Sequence, residues 1–244
     1  MSGHNKWSKI KNAKASNDAA NSKIFSKIGR EIAVAVKLGG GDPNSNPRLK
    51  TIIAKARSVN MPNDNINRSI KKALGEGNNV NYESIVYEGY GPAGSAIIVY
   101  ALTDNKNRTA SEVRHIFDKF GGSLGATGCV SYLFDKKGSI IVLKGVGISE
   151  DDIMMHAIEA GGDDVEICDD YYQVYTSPEA FDAVKEYFEQ NNIPMEQAAV
   201  ELVPQNYVTV PQDKLKSFQK LVELLDDNDD VQEVVHNVEN ADEE

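Results

Sequence analysis

Residues 139–176 read SIIVLKGVGISEDDIMMHAIEAGGDDVEICDDYYQVYT, and this stretch decides the fold class. SIIVLK at 139–144 is a short apolar, β-branched run of the kind that forms a strand. Ser149 stands where a helix cap belongs, and the helix it predicts, at about 150–160, stops at Gly161-Gly162. Two short strands follow at about 164–168 and 171–176, joined by Asp169-Asp170. Ser177-Pro178 opens a helix to about 190, and a strand lies near 197–203. Strand, helix, strand, strand, helix, strand is the ferredoxin-like order.

The flanks spell that order a second time. A strand is expected at about 82–90 and another, SAIIVYAL, at 95–102. Thr109 and Glu112 read as a capping box for a helix at about 110–120 that ends at Gly121-Gly122, and CVSYLF at 129–134 predicts a strand. Past the inner unit come a strand at 207–210, a helix at about 212–226 and a strand at about 231–238. The series from 95 to 134 and from 207 to 238 predicts a ferredoxin-like domain whose central hairpin carries another as an insertion. A single large α+β domain is the alternative.

Upstream of residue 75 the period is helical. Ile24, Phe25, Ile28, Ile32 and Val36 recur at three- and four-residue spacings, and Gly39-Gly40-Gly41 ends that helix. Asn46-Pro47 starts a second, with Leu49, Ile52, Ile53 and Ala56 inward, and Pro62 a third through Ile66, Ile70 and Leu74. The expected fold is therefore α+β: a basic helical domain with an N-terminal arm over 1–78, a discontinuous domain over 79–134 and 205–244, and an inserted domain over 135–204.

Charge divides along the same line. Residues 1–75 hold 15 Lys and Arg against 4 Asp and Glu, a net +11, whereas residues 76–244 hold 11 against 33, a net −22. A basic segment joined to an acidic body is the footprint of a polyanion binder. No run approaches the roughly 20 apolar residues of a membrane span. MSGHNKWSKIKNAK lacks the apolar stretch of a secretory signal, so a cytoplasmic location is expected. Cys129 and Cys168, both in apolar strand-like runs, are expected as reduced buried thiols, with a disulfide or metal pair as the alternative.

Catalytic motifs are missing. There is no G-x-x-x-x-G-K-[ST], H-E-x-x-H or C-x-x-C, and His4, His115, His156 and His236 are scattered. Neither an enzyme activity nor a cofactor, metal or small-molecule substrate is expected. The acidic pairs Asp226-Asp227 and Asp229-Asp230 match no calcium loop and read as solvated surface.

Chemistry gathers in four segments: Lys6-Trp7-Ser8-Lys9-Ile10-Lys11, the loop at 39–48, Tyr87–Pro92, and Thr103–Thr109. Cations track phosphates, an indole stacks on a base or anchors the arm, and a helix N-terminus beside Lys106 and Arg108 attracts anions. The candidate nucleic-acid contacts are Lys6, Trp7, Lys9, Lys11, Lys14, Lys23, Lys27, Arg30, Arg48, Lys50, Lys106 and Arg108. Arg108 is expected to be exposed, and the loops at 39–48, 87–92 and 103–109 to adjoin or to share one large partner.

The segments MSGHNKWSKIK, GGGDPNSNPRL, MPNDNINRSIKK, YEGYGPAG, TDNKNRTASEVRHIF and GGSLGATGCVSYLF, in order from Met1, resemble the YebC family. That resemblance implies a helical domain followed by two α+β domains, one inserted in the other, and DNA-binding transcriptional regulation. Mitochondrial relatives are tied to translation, and bacterial ones to relief of ribosomes stalled on difficult peptides. Ala93-Gly94-Ser95 departs from the Gly-Gly that many members carry after Gly-Pro. No helix carries Arg, Asn or Gln in a base-reading pattern, so binding to structured ribosomal RNA by shape and phosphates is the alternative to duplex DNA.

Overall fold

The computed structural model of the chain describes residues 18–75 and 81–242; the arm cations Lys6, Lys9, Lys11 and Lys14, and Trp7, lie outside the described residues. Helices α1 (Asp18–Gly39), α2 (Pro47–Ser58) and α3 (Asn63–Leu74) come first. None can bury its apolar stripe alone, so they share one core of Ile28, Ile32, Val36, Leu49, Ile53, Met61 and Ile66. Asn46 fixes the corner between α1 and α2. Its Oδ1 accepts from Leu49 N at 3.1 Å, while its Nδ2 donates to Ala35 O and Gly40 O, each at 2.8 Å. The turn at 39–48 is thus held by one buried amide.

Strands β1 (Glu83–Tyr90) and β2 (Ala96–Thr103) form an antiparallel hairpin, followed by α4 (Lys106–Lys119) and the two-residue strand β3 (Ser123–Leu124). Next come β4 (Phe134–Leu143), α5 (Glu150–Ala160), β5 (Asp164–Ile167), β6 (Tyr171–Thr176), α6 (Phe181–Gln190) and β7 (Gln197–Pro204). Helix α7 (Gln212–Asp227) and β8 (Val231–His236) close the chain. Residues 132–207 form one compact unit, and the remaining described residues form the other.

Within residues 132–207 the sheet order is β5-β6-β4-β7, all antiparallel, which is the ferredoxin-like arrangement. Ser149 caps α5 in a full capping box with Asp152. Ile140, Val142, Ile153, Val174, Val184 and Phe188 fill the core between the sheet and its two helices.

The other sheet runs β3-β1-β2-β8 and departs from expectation in three places. First, 129–134 is not a strand: residues 131–133 form a 3-10 turn, and the edge of the sheet is Ser123–Leu124. The cause is Glu88, 4% exposed, whose carboxylate accepts from Gly128 N, Val130 N and Ser131 N at 2.8–3.0 Å. Those N–H groups are then lost to any strand ladder. Second, 207–210 contributes only a bridge from Val208 to Val238, and β1 takes the place beside β2. A hairpin closed by a short turn at 91–95 forms this pairing locally, with little loop entropy to overcome. Third, α4 begins at Lys106 because Asn105, not Thr109, is the cap; its side chain accepts from Arg108 N at 3.1 Å. Thr109 is fully buried instead.

Gly89 shows why β3 can lie so close to β1. A Cβ there would meet Ser123 O at 2.5 Å and the Phe117 ring at 2.9 Å. Phe117, Phe218, Leu221 and Leu225 of α4 and α7 cover this sheet's inner face through Ile97, Val99 and Val234.

Candidate nucleic-acid interface

Lys23, Lys27 and Arg30 lie four and three residues apart on α1 and so form one stripe. All three are engaged within the chain. Lys23 pairs with Asp227 at 2.9 Å, and Lys27 Nζ donates to Asp226 O at 2.6 Å. Arg30 Nη1 reaches Asp230 Oδ1 at 2.7 Å and also Asp229 O, and its guanidinium lies 5.7 Å from the centre of the Tyr82 ring. The acidic run at 226–230 therefore receives α1, and the expectation of a merely solvated surface is corrected at Asp230, which is 3% exposed.

Asp230 collects four side-chain donors. Arg30 meets Oδ1, and Oδ2 accepts from Arg108 Nη2 at 2.7 Å, Thr109 Oγ1 at 2.7 Å and Thr103 Oγ1 at 3.1 Å. Burial pushes its pKa up, but these hydrogen bonds and the Arg30 charge outweigh it and hold the carboxyl below its usual range. Nothing in the sequence singled out Asp230 from its neighbours, because long-range pairing leaves no periodic signal.

The segment at 103–109 proves to be internally satisfied. Arg108 is exposed, as expected, but it also pairs with Asp104 at 2.9 Å, and its pKa is raised chiefly by the hydrogen bond to Asp230. Lys106 pairs with Glu83. The register of the hairpin puts Thr103 opposite Glu83 and Ala96 opposite Tyr90. The segments at 103–109 and 87–92 thus sit toward opposite ends of β1, roughly 13 Å apart at their nearest residues at about 3.3 Å per residue. They do not adjoin.

Cations of a second kind stand on α2 and α3. Arg48, Lys50, Arg57, Arg68 and Lys71 are exposed and make no ion pair among the described residues. Lys50 and Arg57 lie two turns apart on one face of α2, and Arg68, Lys71 and Lys72 lie at i, i+3 and i+4 on α3. Lys55, by contrast, pairs with Glu31 at 2.7 Å. A cation already paired with a carboxylate must surrender that partner to meet a phosphate. Arg48, Lys50, Arg57, Arg68 and Lys71, which have no such partner among the described residues, need not.

Two domain profiles cover most of the sequence: residues 5–76 match the TACO1/YebC protein N-terminal domain, and residues 82–238 match the TACO1/YebC second and third domain. The chain belongs to the TACO1/YebC family. A probable transcriptional regulatory protein of Geobacillus sp. (strain WCH70) is 52% identical over 242 residues, covering 99% of this chain and 98% of that one. One of the same description from Acetivibrio thermocellus is 54% identical over 238 residues, covering 97% and 98%. The crystal structure of a conserved hypothetical protein from Aquifex aeolicus superposes with a TM-score of 0.79 at 46% identity, covering 92% of this chain and 93% of that one. These two TACO1/YebC relatives are thus named as probable regulators of transcription.

The remaining polar groups of this TACO1/YebC chain have structural surroundings. His236, 2% exposed, packs edge-on against Phe218 and accepts from Val238 N. His156 meets the Tyr187 hydroxyl at 3.2 Å, and His115 is exposed on α4. Cys129 and Cys168 are not joined in a disulfide, but Cys129 is only half-buried and lies in the turn that Glu88 organises. Among the described residues no cluster of three or more His, Cys, Asp or Glu is arranged to hold a metal ion, and no helix is long and apolar enough to cross a membrane.

Proposed function

We propose that this protein is a cytoplasmic, non-enzymatic regulator of gene expression that binds nucleic acid through phosphates and shape. The observation that carries the proposal is the sorting of the cations. Lys23, Lys27, Arg30, Lys106 and Arg108 have partners inside the chain, whereas Arg48, Lys50, Arg57, Arg68 and Lys71, on two adjoining helices, make no ion pair among the described residues. Lys6, Lys9, Lys11 and Lys14 of the arm add positive charge to the same stretch of sequence, with Trp7 among them. Each phosphate neutralised releases counterions, so affinity arises without any base being read.

The description of the relatives as probable transcriptional regulatory proteins favours DNA and transcription as the setting. A second partner, structured ribosomal RNA on the ribosome, is favoured by the net −22 of residues 76–244. An acidic body repels nucleic acid everywhere except at the basic region, which suits a factor confined to one site on a large RNA assembly. Crosslinking in cells followed by sequencing of the recovered nucleic acid tests both. Enriched promoter fragments support transcription, enriched ribosomal RNA supports translation, and recovery of neither above background overturns the proposal.

A further inference from the structure

Behind the exposed face of α2 lies a cavity of about 360 Å³, walled on one side by α1 and α2 and on the other by the β1–β2–β8 sheet. Its apolar walls come from Ile52, Ile85 and Leu102, with the ring of Tyr100 among them. Arg48 also lines the cavity, and it is one of the exposed cations without an ion pair. Gln232 of β8 completes the lining, and its amide is unusual. Both the oxygen and the nitrogen are buried, and neither has a hydrogen-bond partner among the described residues.

A buried amide without partners is disfavoured, because its groups lose water and gain nothing in return. Most buried polar groups avoid this, so the exceptions call for a cause. The Gln232 amide can also turn about its terminal bonds without breaking any hydrogen bond. An amide offers one donor beside one acceptor, the complement of a nucleobase edge, where donors and acceptors alternate at the same spacing. Apolar walls and an aromatic ring suit the faces of such a base, and a guanidinium suits the phosphate attached to it. The cavity has room for a single nucleotide unit and is too small for a duplex.

We propose, building on the phosphate-binding function given above, that this cavity receives one unpaired nucleobase of the bound nucleic acid. Gln232 hydrogen-bonds the edge of the base, Tyr100 and the aliphatic walls pack on its faces, and Arg48 holds the adjoining phosphate. Binding then has two separable parts: phosphate contacts along α2 and α3 that any strand can make, and a base-dependent part that requires an unpaired nucleotide.

The test compares single-stranded oligonucleotides of equal length, one with bases and one with abasic sites, titrated against the full chain by fluorescence anisotropy. The two carry the same charge. Wild-type protein should bind the base-bearing strand roughly five- to 150-fold more tightly, the range set by one good bidentate contact. Gln232→Leu should bring that ratio close to one while leaving the salt dependence unchanged. The same variant should melt at the wild-type temperature or above it, because it replaces an unpaired buried amide with an apolar side chain of similar size, so a loss of folding would not be mistaken for a loss of base contact. Wild-type protein that binds both strands equally, with a steep salt slope, overturns the base pocket and leaves phosphate binding standing. A ratio that survives in Gln232→Leu also overturns it. Failure of both strands to bind overturns both.

Discussion

Replacing Asp230 with Ala removes the acceptor that joins α1 to the start of α4. In the native protein its carboxylate takes charge-assisted hydrogen bonds from Arg30 and Arg108, each at 2.7 Å, and hydrogen bonds from the hydroxyls of Thr103 and Thr109. Breaking a fully buried ion pair by deleting one partner costs about 3–5 kcal/mol. The figure is smaller here because the Arg108 and Arg30 side chains are 44% and 20% exposed, so water takes over part of their solvation. The two threonines are fully buried. Thr109 keeps Asn105 O at 3.1 Å as an alternative partner, which limits the loss from the hydroxyls. The balance is about 2–3 kcal/mol, or a fall in Tm of roughly 4–12 °C for a unit of this size. Urea unfolding followed by circular dichroism, with calorimetry for Tm, measures it. Asp230→Asn keeps the volume and one acceptor and should lose about half as much. A loss below about 1 kcal/mol for Asp230→Ala would refute the idea that this carboxylate secures the helical region. Arg108→Glu, which sets a second carboxylate against Asp230, should also destabilise measurably, despite the exposure of Arg108.

Three further outcomes are expected. Glu88 is held below its usual pKa because three backbone N–H donors outweigh the upward push of burial, and Asp230 is depressed as well. Both contribute stability that is present above the unfolded carboxylate value, near pH 4, and is lost as pH falls through the folded one; acid titration of Glu88→Gln should show a shallower decline than wild type below about pH 4. Asn46→Ala removes a helix cap and the hydrogen bonds to Ala35 O and Gly40 O, costing roughly 2 kcal/mol, and should speed hydrogen exchange at the start of α2 before anywhere else in the helical region. We also propose that 135–204 is an autonomous domain inserted into a discontinuous one: a 135–204 fragment should melt cooperatively, whereas a 1–134 fragment should not, since α7 and β8 supply half of its core. A soluble, cooperatively folding 1–134 fragment would contradict the inserted arrangement.

How much of this was legible in the sequence depends on the range of the interaction. Helix stripes such as Ile28–Ile32–Val36, the Asn46 cap and the Ser149 capping box are set by neighbours a few residues apart, and all are where the spacing puts them. So are the six elements of residues 134–204. The misreadings share one physical source. The stretch at 129–134 has strand composition, but a glutamate 40 residues earlier takes its N–H groups. Thr109 has the spacing of a cap, but an aspartate 121 residues later takes its hydroxyl. The charge excess of residues 1–75 was plain from the sequence, yet which cations remain unpaired was not. That depends on where residues 226–230 fold back, and neither the spacing nor the composition of those aspartates carries that information.

We propose that Lys50, Arg57, Arg68 and Lys71, which make no ion pair among the described residues, and not the paired stripe of α1, meet the phosphates. The most direct measurement is the slope of log affinity against log salt for the full chain on a structured RNA and on a DNA duplex. Replacing Lys50, Arg57, Arg68 and Lys71 together with Ala should flatten the slope by as much as about 3, at roughly 0.7–0.9 per phosphate contact. Replacing Lys23 and Lys27 with Ala should leave the slope close to wild type. A slope that flattens for Lys23 and Lys27 and stays unchanged for the α2 and α3 variant would place the phosphate contacts on α1 instead.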